Sequence, residues 1–251
     1  MITYEYPLNE RVRTLLRLED LFDKAAYFLE RTDALDHHVA ILTLFEVLDV
    51  TARADLKSDL LQELERQKQT LLSFRNNPEI SEGALNEILA EIDHTSSTLL
   101  NLAGKIGQHL RDNEWLVSIK QRTGIPGGVC QFDLPSYHYW LNLSAEARRV
   151  DLHDWVAPLL PMRNGIRIVL RLLRESGHPS QHIAYGGGFQ QILSGKTTQM
   201  VRIRLDQQRG FIPEISANKY ALNVRFALFD GALRPRICEE DVPFDLTFCN
   251  L

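Results

Sequence analysis

Cysteine is scarce: Cys130, Cys238 and Cys249 are the 3 in a chain of 251 residues. They are too few for a disulfide framework, and without a CxxC pair they do not suggest a zinc site. Long hydrophobic runs are missing as well. No apolar stretch approaches the roughly 20 residues that cross a bilayer. The opening Met1-Ile2-Thr3-Tyr4-Glu5-Tyr6-Pro7 lacks the basic-then-apolar layout of a secretory signal. Together these absences predict a cytoplasmic chain with reduced thiols and no membrane association. There is no internal repeat and no low-complexity segment.

What is present is an ordinary globular composition, 44% hydrophobic and 24% charged, of a length that suits one large domain or two small ones. The net charge of −5 conceals a split. Residues 1–120 carry 13 Lys and Arg against 21 Asp and Glu, or −8; residues 121–251 carry 15 against 12, or +3. Within 163–236 the count is 12 against 4, or +8. A basic region of this kind engages something anionic.

The first half has helical periodicity. Asn9 is placed to cap a helix carrying Val12, Leu15, Leu16, Phe22, Ala26 and Leu29. A second helical pattern runs from about Asp36 to Arg75, where Leu60, Leu64, Leu71 and Phe74 approximate a heptad seam. That seam is the candidate dimer face, although packing within the chain explains it equally well. Asn76-Asn77-Pro78 ends the pattern. Further helices are expected at about Ser81–Asn101, around Leu110–Ile119, and at Ser136–Leu143, Ala145–Val156 and Pro158–Ser176. After Gly177-His178-Pro179 the period becomes two. Val201, Ile203 and Leu205 alternate with arginines, and Leu222–Leu228 and Val242–Phe248 alternate likewise. Pro243 marks the last strand as an edge or itself as a strand start. The expected fold class is α+β: a mostly helical domain over 9–176, then a small antiparallel β domain over 180–251. Residues 1–8 are a candidate extra strand of that β domain.

Several motifs carry less than they suggest. Ser194-Gly195-Lys196-Thr197-Thr198 resembles a phosphate loop, but Gln190 stands where that loop needs glycine, and a solvated hairpin loop fits better. Cys130 and His138 are eight residues apart, which does not bring a thiol to an imidazole; a buried structural cysteine is expected. His37, His38, His178 and His182 form no metal set with the cysteines. The turn-rich Gly124–Pro135 segment reads as a tight backbone crossing. No carboxylate pair or catalytic triad emerges. The chain reads as a non-enzyme without a cofactor.

The basic residues form stripes. Arg13, Arg17 and Lys24 fall within about 40° of one another on a helix. Arg163, Arg167, Arg171 and Arg174 share another helical face, and Arg202, Arg204 and Arg225 point away from the apolar side of their strands. A nucleic-acid-binding protein would use such stripes on phosphates, and that is the alternative reading. A pI near 5.9 and strand faces poor in aromatics argue against it.

Tyr6–Glu19, Ile125–Pro135, and Phe211–Lys219 followed by Val224-Arg225-Phe226 are three segments that together resemble the ZapD family of bacterial cell-division proteins. Their order spans nearly the whole chain. The resemblance implies a helical domain joined to a β domain, and a cytoplasmic, non-enzymatic homodimer recruited to the division ring at midcell. Its implied partner is the C-terminal tail of the tubulin-like protein FtsZ, whose filaments it would bundle. Arg13 and Arg17 match basic positions of the first motif; Arg111, His138, Lys219 and Arg225 match polar or basic positions of the later ones. Ala221 departs from the pattern, standing where a basic residue is expected in some relatives. With Arg202 and Arg204 these residues make the expected partner-binding set, arranged as one groove between the first helix and the outward sheet face.

Overall fold

The computed structural model describes residues 1–52, 55–75, 77–78, 80–102, 104–193, 198–218, 220–229, 231 and 234–251. The chain divides into two units, residues 14–169 and residues 1–13 together with 170–251.

The helices are α1 (Glu10–Leu29), α2 (Ala34–Thr51), α3 (Leu56–Leu72), α4 (Glu82–Asn101), α5 (Gln108–Arg111), α6 (Glu114–Thr123), α7 (Pro135–Leu141), α8 (Ala145–Val156) and α9 (Leu160–Glu175). Short polar side chains start most of them, including Asn9, Asp33, Asp55, Ser81, Asn113 and Ser144. Asn9 Oδ1 accepts from the Val12 N–H at 2.8 Å, as its position predicts. Asn113 Oδ1 accepts from Leu116 N–H at 3.0 Å and Ser144 Oγ from Ala147 N–H at 3.2 Å. Each such cap contributes about 1 kcal/mol.

The pattern expected to run unbroken from Asp36 to Arg75 is two helices. Asp55 opens the second, its Oδ2 accepting from Ser58 Oγ at 3.0 Å. Periodicity did not reveal the break because α2 buries residues around most of its circumference, including Ala40, Ile41, Leu44, Phe45, Val47 and Leu48. No single stripe exists there whose phase could be lost. The helix expected around Leu110–Ile119 is likewise two, α5 and α6, parted where Asn113 caps the second.

Leu60, Leu64 and Leu71 of α3 are buried against α4, which contributes buried Leu85, Leu89, Ile92 and Leu99. Burying a leucine fully is worth roughly 1.5–3 kcal/mol. The seam is therefore used within the chain, and only Phe74 at its end is exposed.

The other unit holds two antiparallel sheets. One has the order β1 (Ile2–Pro7), β4 (Met200–Leu205), β8 (Val242–Cys249), β2 (Ser180–Ala184). The second has the order β3 (Gly188–Ile192), β6 (Ala221–Leu228), β5 (Phe211–Ala217), with β7 (Arg236–Ile237) also on β6. The alternating strands bury the expected residues, and one core joins both sheets: Val201, Ile203, Val242, Phe244 and Leu246 meet Leu222, Val224 and Phe226. The N-terminal segment does join a sheet, with Tyr4 opposite Ile203 and Glu5 opposite Arg202. Pro243 lies near the start of an interior strand, and only its β2 side is paired there. Gly186 and Gly187, both at positive φ, turn the chain from β2 into β3. A Cβ on Gly187 would come within 2.1 Å of the Cys238 carbonyl oxygen, so this turn requires glycine.

Candidate partner-binding surfaces

The arginine stripes divide into paired and unpaired members. On α1, Arg13 Nε lies 3.2 Å from Glu10 Oε2, and Lys24 Nζ lies 3.9 Å from Glu46. Arg17 is exposed and has no acidic partner among the described residues. On α9, Arg163 lies 3.2 Å from Asp23, whereas Arg167 is exposed without an acid among the described residues.

Glu5 is the hub of the β unit. Its carboxylate accepts two hydrogen bonds from Arg174, from Nε and Nη2, each 2.8 Å, and lies 3.1 Å from Arg202 Nε. Arg202 also donates from Nη1 to the Arg174 carbonyl at 3.5 Å. The register puts Glu5 beside Arg202, and the last turn of α9 brings Arg174 over them. Two of the expected cations are thus neutralised within the fold. Arg204, two residues along β4, is exposed and without an acid in contact among the described residues. It borders a cleft of about 760 Å³ walled by Met1, Ile183, Tyr185 and Pro243, with Asp206 and Asp245 nearby.

Arg225 lies on the outward face of β6, in register with Glu214 on one side and Gly188 on the other. It forms no ion pair among the described residues and edges a cleft of about 570 Å³ with Gln190, Asn223 and Ser216. Lys219 lies outside the described residues, as do Ser194–Thr197 of the phosphate-loop look-alike.

Arg111 serves the fold. Its guanidinium donates to the carbonyl of Leu48 at 3.0 Å, to Thr51 Oγ1 at 3.3 Å and to the Ile106 carbonyl, closing the C-terminal end of α2. His138 is exposed on α7, its Nε2 3.5 Å from the Asn142 amide. Cys130 is exposed rather than buried, because it sits on the outer turn of the Gly124–Pro135 loop. The close crossing expected there is real at Gly128, where a Cβ would meet the Arg122 carbonyl oxygen at 2.4 Å.

Composition and periodicity did not single out Arg148. It is buried on α8 and donates to His37 Nδ1 at 2.9 Å, to the Thr32 carbonyl at 2.8 Å, and to the carbonyls of Leu141 and Leu143. His37 Nε2 lies 2.7 Å from the Arg31 carbonyl, so that ring nitrogen carries the proton and Nδ1 accepts. Burial, with the Arg148 charge adding to it, holds His37 below the ordinary imidazole range. Next to this clip, Trp115, Tyr137, Trp140 and Trp155 pack ring to ring at 5.8–6.0 Å, and burial pushes the Tyr137 phenol upward.

The sequence profile of ZapD, described as a cell division protein, matches residues 16–225. The chain belongs to the ZapD family. It is 61% identical over 251 residues to the cell division protein ZapD of Aromatoleum aromaticum, covering all of this chain and 98% of that protein. The corresponding proteins of an Azoarcus species and of Dechloromonas aromatica are 61% and 60% identical, covering 100% of both chains in each case. Of the three ZapD-like segments, the first spans the end of β1 and the first half of α1. The second is the turn-rich loop ahead of α7, and the third, apart from Lys219, supplies β5 and part of β6. The ZapD relatives are named for cell division, and that is the role family membership gives this chain.

Proposed function

We propose that this protein binds the C-terminal tail of FtsZ and, as a homodimer, cross-links FtsZ filaments, stabilising the division ring at midcell. It would act in the cytoplasm as a binding protein and not as an enzyme. The observation that carries the reading is end-to-end similarity to cell division proteins of the ZapD family. The charge pattern supports it. Arg17 in one unit, and Arg204 and Arg225 in the other, are exposed without an acidic partner among the described residues. Such guanidiniums can meet the carboxylates of a tail without first breaking an internal pair. Arg202 and Arg111 are occupied by Glu5 and by carbonyls, so their contribution is to the fold.

Exposed charge pairs are individually weak. Two tail sites on one particle gain from multivalency, so bundling requires little affinity per site. The test is filament sedimentation with intact FtsZ and with FtsZ lacking its tail. Co-sedimentation and bundling with the first and not with the second is the expected result. Equal bundling of both would refute tail binding.

A further inference from the structure

The outward face of the sheet ordered β1-β4-β8-β2 sets polar side chains in register. One row runs Thr3, Arg204, Asp245, Gln181 across all four strands. Beside it lie Arg202 and Thr247. Arg204 and Asp245 stand opposite each other, yet no ion pair joins them among the described residues. Two clefts open onto these rows, and Arg204 lines both. The first, of about 760 Å³, has Asp206, Asp245 and Gln181 with an apolar wall of Ile183, Tyr185 and Pro243. The second, of about 360 Å³, has Thr3, Arg202 and Thr247. Thr247 is only 5% exposed, and its hydroxyl has no hydrogen-bond partner among the described residues. A hydroxyl so placed offers its hydrogen bond to whatever enters the cleft.

We propose that the two clefts together bind a guanine mononucleotide, the base in the first and the phosphate in the second. Asp245 offers two acceptors, and Gln181, next along the row, offers a carboxamide donor. The pairing edge of guanine carries the complement, two N–H donors followed by the O6 acceptor. Adenine and uracil each leave one Asp245 oxygen unmet. The ring would lie on Ile183, Tyr185 and Pro243. Asp206 and Asp245 make the first cleft the wrong place for a phosphate. At the second, Arg204 meets it with no acid to release first, and Thr3 and Thr247 add hydroxyls. Thr3 and Asp245 are two strands apart, about 10 Å, the reach of a nucleotide from base edge to phosphate. A longer phosphate chain would meet the carboxylate of Glu5, which stands beside Arg202. The inference goes beyond tail binding. Of the guanidiniums offered to the tail, only Arg204 lines these clefts.

The test is isothermal titration calorimetry of the full chain with GMP, AMP, UMP, GTP, guanosine and inorganic phosphate. GMP is expected to bind at least about tenfold more tightly than any of the others. Asp245→Asn should weaken GMP at least about tenfold and erase its preference over AMP. Thr247→Val keeps the shape and removes the hydroxyl, so it should weaken GMP and leave guanosine unchanged. Gln181→Ala, at an exposed position, repeats the base test if Asp245→Asn lowers the melting temperature. No saturable binding of GMP up to millimolar concentration overturns the proposal. So does equal binding of GMP, AMP and UMP, inorganic phosphate binding as tightly as GMP, or wild-type selectivity in Asp245→Asn and Gln181→Ala. Failure of tail binding is a separate result: a chain that binds GMP and ignores an FtsZ tail peptide refutes the proposed function and leaves this site standing.

Discussion

Replacing Arg148 with alanine tests the interior of the helical unit. The side chain is 5% exposed and holds four acceptors: the carbonyls of Thr32, Leu141 and Leu143, and Nδ1 of His37. Arg148→Ala leaves all four without their donor and opens a void the size of the side chain. A buried acceptor deprived of its partner costs about 1–3 kcal/mol, and water will reach some of these atoms. Removing one member of a buried charged network costs about 3–5 kcal/mol, and we expect a loss in that range. Urea unfolding followed by tryptophan fluorescence measures it, since Trp115, Trp140 and Trp155 all lie in the 14–169 unit. With a slope of about 1–3 kcal/mol per molar urea, the midpoint should fall by more than about 1 M. Arg148→Lys should lie between, because one ammonium cannot span the acceptors that the guanidinium fork reaches. A midpoint shift for Arg148→Ala below a few tenths molar, at unchanged slope, would refute the accounting. The clip also sets a pH dependence. Folding holds His37 neutral by burial, so the unfolded chain binds its proton more readily. Stability is complete above the unfolded value of about 6.5 and declines as pH falls through it, until the folded ring is protonated too. His37→Gln should flatten that decline.

Three further outcomes are expected. Gly187→Ala should destabilise the β unit by about 2–3 kcal/mol, whereas Gly186→Ala, whose Cβ would come no closer than 4.0 Å to another residue, should cost only about 1 kcal/mol for its positive φ; thermal melts of both variants check the contrast. Glu5→Gln removes the carboxylate that Arg174 and Arg202 share and should cost about 1–3 kcal/mol, read as a lower melting temperature with unchanged association mass. Arg17→Gln combined with Arg225→Gln should weaken binding of an FtsZ tail peptide at least about tenfold and leave the melting temperature nearly unchanged, since neither places a carboxylate opposite Glu214; added salt should weaken the wild type in the same direction, and salt-independent binding would refute the electrostatic reading.

Most helices and the three best-alternating strands were legible, because each carried a local signal. Asn9 and Ser81 announced their helices, and β4, β6 and β8 alternated without interruption. β2, β3, β5 and β7 were not assigned. Ser-Gln-His-Ile-Ala and Gly-Phe-Gln-Gln-Ile offer too few apolar residues to show a period, and Pro213 interrupts β5. The basic stripes were legible as composition, but which arginines they left unpaired was not. Glu5 meets Arg174 across 169 positions, and Arg111 reaches the Leu48 carbonyl across 63. No window of sequence contains both partners. The buried role of Arg148 was hidden for the same reason, since its acceptors come from three separate turns of chain.

The sheet ordered β1-β4-β8-β2 has a consequence for synthesis on the ribosome. Its first strand, β1, precedes every other named element in the order of synthesis, and its interior strand, Val242–Cys249, follows them all. Until that strand emerges, β4 and β2 share no neighbour and β1 has only β4 to pair with. The segment 14–169 is complete long before, so the usual N-terminal-first order is reversed for the unit that contains the N-terminus. A premature stop that removes only β8 therefore takes away the middle of a sheet rather than trimming its margin. Such a nascent chain would carry a finished helical unit beside a β unit unable to close, with the edge of β4 bare.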